Sequence, residues 1–174
     1  MSKITPKSTA TNGDQVKYKI GFDLDGVLAT QSLALLGVLS KVEGMEYGKE
    51  WYYREAELKM DPKKFLGKND EAVIVTARET IPKIVKITRE WVDRHVGKHI
   101  PIIWVNRNVP PPIQLGGKVG NKGALDVMDR MAVAKAKVIN REKIEVYFDD
   151  SEYLVKKLRK MCPKCKVIHF GARV

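Results

Sequence analysis

The chain has 174 residues, 44% hydrophobic and 30% charged, a globular balance sized for one domain. Its two cysteines, Cys162 and Cys165, exclude a disulfide framework, and no apolar run approaches a membrane span, so a soluble cytoplasmic protein with no membrane partner is expected. The net charge of +11 attracts phosphate-bearing partners. Lys and Arg are spread along most of the chain, however, and a solvated surface or a thermophilic composition accounts for them equally well.

Residues 1–15 are polar, rich in Ser, Thr and Lys, and read as a flexible N-terminal tail. From Val16 onward, short apolar runs alternate with longer amphipathic stretches, the pattern of an α/β domain over 16–174 with a parallel sheet. The first predicted strand is Val16–Phe22. A longer stretch, 27–67, follows it and exceeds what one crossover helix needs. It is expected to hold two helices, about Gln31–Glu43 and Lys49–Leu66, as a small cap insertion. A second strand, Ala72–Thr76, leads to a helix over Ile81–Val96, with Pro82 where a first turn tolerates proline. The third strand is Ile100–Val105. Asn106–Gly120, with Pro110-Pro111-Pro112 and Gly116-Gly117, reads as a loop. A helix over Asn121–Ala136, a strand Ile144–Phe148, a helix Ser151–Met161 capped by Ser151, and a strand Lys166–Phe170 complete the order.

The chemistry concentrates where strands end. Ile20-Gly21-Phe22-Asp23-Leu24-Asp25-Gly26 runs a strand into two carboxylates one residue apart. Open α/β sheets place their sites beyond the carboxyl ends of strands. A carboxylate there can attack phosphorus to form an acyl phosphate, and a second acid can protonate the leaving oxygen and later activate water. Two acids facing a phosphate dianion need a counter-charge, which Mg2+ supplies. Thr76 ends the second strand, so its hydroxyl and the following backbone N–H groups, starting at Ala77, can bind a phosphoryl oxygen. Lys122 opens a helix and can neutralise the phosphoryl charge. Asp149 and Asp150 end the fourth strand and suit the metal. Taken singly, each has a plainer reading: a helix cap for the acidic pair, an ordinary strand end, a surface lysine.

In that order, these residues resemble the haloacid dehalogenase superfamily, whose pattern is DxDG, a strand-terminal Ser or Thr, a helix Lys and an acidic pair. The resemblance spans Ile20 to Ser151. It implies a Rossmann-like, doubly wound parallel sheet of about five strands in the order 3-2-1-4-5, and a phosphatase acting on phosphoric monoesters. It implies Asp23 as nucleophile, Asp25 as general acid and base, and Thr76 and Lys122 as phosphate binders, with Lys118 the alternative lysine. Magnesium would be held by Asp23, the Asp25 backbone carbonyl and Asp149, with Asp150 supporting. Asp25-Gly26-Val27-Leu28-Ala29 and Thr76-Ala77-Arg78 are also similar to the 5′(3′)-deoxyribonucleotidase branch, which acts on nucleoside monophosphates.

The substrate stays open among three readings. About 50 residues separate Asp25 from Thr76, so the cap is small or minimal. A nucleotide or other small phosphorylated molecule is one substrate. A nucleic-acid end is another, favoured by an open site and the basic charge. A nucleic-acid-binding protein without turnover is the third. Trp51-Tyr52-Tyr53 either stacks on a base or packs on the core. Cys162-Pro163-Lys164-Cys165 lacks the second pair a zinc site needs and reads as two reduced thiols in a turn. His95, His99 and His169 show no ligand spacing.

Overall fold

The computed structural model describes residues 17–30, 46–105 and 121–171, with the side chains of 46–49 and 121–125 outside that description. The expected tail, the helix at Gln31–Glu43 and the loop at Asn106–Gly120 lie outside the described residues, as does Lys118.

Among the described residues, ten elements follow in chain order. Strand β1 is Lys19–Asp23, helix α1 Glu46–Glu55, and a short 3-10 turn Pro62–Lys64. Strand β2 is Glu71–Thr76, helix α2 Pro82–His95 and strand β3 Ile102–Trp104. Helix α3 is Asn121–Arg141, strand β4 Val146–Asp149, helix α4 Glu152–Met161 and strand β5 Lys166–His169. The five strands are parallel and ordered β3-β2-β1-β4-β5. This is the doubly wound arrangement expected.

Strand alternation sends successive side chains to opposite faces. Val73, Val75, Tyr147 and Val167 meet Ala132, Ala136 and Ile139 of α3 and Leu154, Val155 and Leu158 of α4. Ile20, Phe22, Ile74 and Phe148 face the other way, onto Trp91 and Val92 of α2 and onto Leu24, Leu28, Ala56 and Met60. Phe22 and Phe148 stack with centroids 5.2 Å apart, tying β1 to β4. By the same parity, Asp23 and Asp149 belong to the face that α3 covers. Gly21 lacks a side chain because there is no room for one: a Cβ would lie 2.8 Å from Cδ2 of Tyr147.

Two expected helices differ. The helix over Lys49–Leu66 is instead α1, ending at Glu55, followed by an extended stretch and the 3-10 turn. Pro62 disfavours helical backbone in the residue before it, and Asp61 is extended at φ −80°, ψ 110°. The extended stretch is then captured by the loop after β1: Lys59 N–H donates to the Leu28 carbonyl at 2.7 Å, and Thr30 N–H to the Glu57 carbonyl at 2.9 Å. Helix α3 runs past Ala136 to Arg141, because Val138 and Ile139 continue its buried stripe. It closes through Lys143 in the left-handed region, φ 54°. Pro82 stands in the first turn of α2, and Ser151 caps α4 by accepting from Leu154 N–H at 3.3 Å.

Candidate active site at the carboxyl edge of the sheet

Asp23 and Asp149 end adjacent strands, since Phe22 pairs with Phe148 one residue earlier. Their carboxylates share one cation, Lys135 of α3. Its Nζ donates to Asp23 Oδ2 at 2.8 Å and to Asp149 Oδ2 at 2.7 Å. The remaining oxygens are also used: Asp23 Oδ1 accepts from Leu24 N–H at 2.9 Å, and Asp149 Oδ1 from Ser151 N–H at 3.0 Å. All three side chains are buried or nearly so.

Burial disfavours charge on each member. It pushes the Asp23 carboxyl up to about 8, with Lys135 pulling downward and Asp149 adding to the rise. Burial alone would lower Lys135, yet Asp149 and Asp23 hold it well above the usual lysine value. Asp150 is likewise raised by burial and by neighbouring Asp149.

Asp150 completes the cluster. Oxygen atoms of Asp23, Asp149 and Asp150 all lie within 4.8 Å of one another. Three carboxylates against one ammonium leave a surplus of negative charge on hard oxygen donors, a set that fits Mg2+. Gly26 lets the loop after β1 approach this corner. Its φ is +85°, and a Cβ there would fall 2.0 Å from Asp150 Oδ2. Lys59 closes the same corner, donating to the Gly26 carbonyl at 2.6 Å.

Asp25 stands apart from that cluster and pairs with Arg78. The guanidinium reaches both carboxylate oxygens, with Nη2 to Oδ1 at 2.6 Å and Nε to Oδ2 at 2.9 Å. Thr76 is fully buried at the end of β2. Its Oγ1 accepts from Arg78 N–H at 3.2 Å, arching Ala77 over the strand end.

The structure thus brings Asp23, Asp149 and Asp150 together, and sets Asp25 and Thr76 around Arg78. Lys122 lies thirteen positions before Lys135 on α3, roughly 20 Å along a helix axis at 1.5 Å per residue. Lys135 escaped the sequence reading, which looked for a lysine at the helix start. A signal existed: Lys135 falls three residues after Ala132 and three before Val138, on the apolar stripe, where an unpaired lysine is rarely buried. Tyr52 and Tyr53 take the core alternative, packing on Ile84 and Ile87, while Trp51 is exposed. His169 Nε2 lies 2.9 Å from the Asp150 carbonyl, and His95 packs on Trp91. Both cysteines are free.

No family model matches the chain, and no curated protein does. A solved structure has the same fold. A chain of the Pnkp1/Rnl/Hen1 RNA repair complex is similar over 95% of this chain, with a TM-score of 0.54 and 13% identity. This chain spans about half of that one, 47% of its length. Among the described residues, no helix is long and apolar enough to cross a membrane.

Proposed function

We propose that the protein is a magnesium-dependent phosphomonoester hydrolase working through an aspartyl-phosphate at Asp23. The observation that carries this reading is the cluster of Asp23, Asp149 and Asp150 around Lys135 at the strand ends. A Mg2+ ion held by those three carboxylates would add the charge needed to keep Asp23 ionised and to screen an incoming phosphate dianion.

An Asp23 carboxylate oxygen attacks phosphorus as the ester P–O bond breaks. The leaving oxygen takes the proton of Asp25. In the second half, Asp25 accepts a proton from water as that water attacks phosphorus. The bond from Asp23 to phosphorus breaks, releasing inorganic phosphate and restoring both acids. Lys135 offsets charge on Asp23 throughout, the role expected of Lys122 from sequence. Thr76 and the N–H of Ala77 bind phosphoryl oxygens.

The substrate under this reading is a nucleotide or other small phosphate ester. Phosphorylated nucleic-acid ends are the second reading, supported by the +11 charge and by a structural neighbour whose complex repairs RNA. A phosphate-release screen with Mg2+ over mononucleotides, sugar phosphates and 3′- or 5′-phosphorylated oligonucleotides tests both. Asp23→Asn should lose activity on an aryl phosphate by at least ~10³-fold, as removal of a nucleophile does. Full activity in that variant refutes the mechanism. A steep salt dependence of oligonucleotide turnover would select the second reading.

A further inference from the structure

Arg78 is the most constrained charged residue near the site that the reaction scheme above leaves without a role. Its side chain is fully buried, whereas that of Asp25 is 17% exposed. The guanidinium has five N–H donors in a rigid plane. Nε–H is shared between Asp25 Oδ1 at 3.1 Å and Oδ2 at 2.9 Å, Nη2 donates to Oδ1 at 2.6 Å, and Nη1 donates to Thr88 Oγ1 of α2 at 3.1 Å. These bonds fix the edge of the plane. Its face is covered by the ring of Tyr53, 4.1 Å from the guanidinium carbon to the ring centroid.

Tyr53 belongs to α1, inside the insertion between β1 and β2, and is buried with Tyr52 against Ile84 and Ile87 of α2. A cation over an aromatic face is held strongly where water is excluded. Asp25 itself sits on the loop after β1, outside any strand, so its carboxylate takes its orientation from the fork that grips it.

We propose that Tyr53 is a positioning residue: by covering Arg78 it fixes the plane of the guanidinium, and through it the aim of the Asp25 carboxylate. The insertion thereby contributes to the chemical step without touching substrate. The inference rests on Asp25 being the acid and base. A carboxylate that must meet the ester oxygen in one half-reaction and a water in the other is sensitive to misplacement of the order of an ångström.

The test compares Tyr53→Leu and Tyr53→Phe with wild type in Mg2+-dependent aryl phosphate hydrolysis, and follows the 15Nε–Hε resonance of Arg78 by NMR. Tyr53→Leu should lower kcat roughly tenfold, with KM within about twofold, because proton transfer rather than binding is affected. It should also broaden or average the Arg78 resonance. Tyr53→Phe, which keeps the ring face, should restore both. An unchanged Arg78 resonance in folded Tyr53→Leu overturns the inference, with or without turnover. So does a kcat equal to wild type while Asp25→Asn is inactive. If Asp25→Asn retains full activity, the acid–base reading of Asp25 fails, and the resonance alone still decides whether Tyr53 holds Arg78. A Tyr53→Leu chain that does not fold is replaced by Tyr53→Met, judged by the same two readouts.

Discussion

Replacing Lys135 with Met leaves Asp23 and Asp149 side by side with no protein cation between them. Lys135 is 1% exposed and Asp149 is 0% exposed, so water cannot take over the lost bond of 2.7 Å, and Asp23, 12% exposed, is reached only at its edge. Breaking a buried ion pair by removing one partner costs about 3–5 kcal/mol. Met fills most of the vacated volume, which favours the lower end of that range. At about 2–4 °C per kcal/mol for a chain of this size, the melting temperature should fall by roughly 6–12 °C. Wild type and variant should both lose stability as pH rises toward 8, and the gap between them should widen above it. Burial already pushes Asp23 up to about 8 from an ordinary 3.8, and without the ammonium it rises further. The native state then holds a proton that the unfolded chain releases, so stability declines as pH rises between those values. Circular dichroism melts in EDTA near pH 5 and pH 9 measure this. Added Mg2+ should recover part of the loss by supplying charge to the same carboxylates. Turnover should fall about 10²–10³-fold, the scale of losing one charge-stabilising donor. A variant that melts within about 2 °C of wild type at both pH values would show that the ion pair is not a stabilising centre. Undiminished turnover would remove Lys135 from the mechanism.

Gly26→Ala should weaken Mg2+ binding roughly tenfold, because its Cβ would meet the Asp150 carboxylate at 2.0 Å and its backbone sits at φ +85°. Isothermal titration reads this, and unaltered affinity would separate Asp150 from the metal. Cys165 should resist alkylation, since burial and the nearby Cys162 and Glu145 push its thiol up to about 12. Iodoacetamide near pH 8 should modify it on the order of a hundredfold more slowly in the native protein than in urea, and comparable rates would contradict the raised thiol.

Periodicity carried most of the architecture. Ala72–Thr76 and Ile144–Phe148 read as strands because β-branched and aromatic residues cluster there, and the strand order followed from the resemblance. The helix ends were less legible. Pro62 marked a break that the expected Lys49–Leu66 helix passed over, and capture of Lys59 by Leu28 is a long-range backbone bond that no local pattern announces. At the site, Asp23, Asp149 and Asp150 could be anticipated because strand ends converge on one edge. Lys135 could not be placed by motif order, since its partner Asp23 lies 112 residues away, and only its place on an apolar stripe gives it away. Arg78 stood in the quoted Thr76-Ala77-Arg78 run, but its grip on Asp25 depends on how two loops meet.

The backbone bond from Thr30 to Glu57 joins the two ends of the insertion between them. With the ends already joined, loop-closure entropy rises only logarithmically with length, about 0.6 kcal/mol for each doubling. Extra chain inserted there would leave the spacing of Asp23, Asp25 and Gly26 untouched. The scaffold is in this sense modular at one seam: the chain between Thr30 and Glu57 can lengthen or shorten while the carboxyl edge of the sheet keeps its geometry.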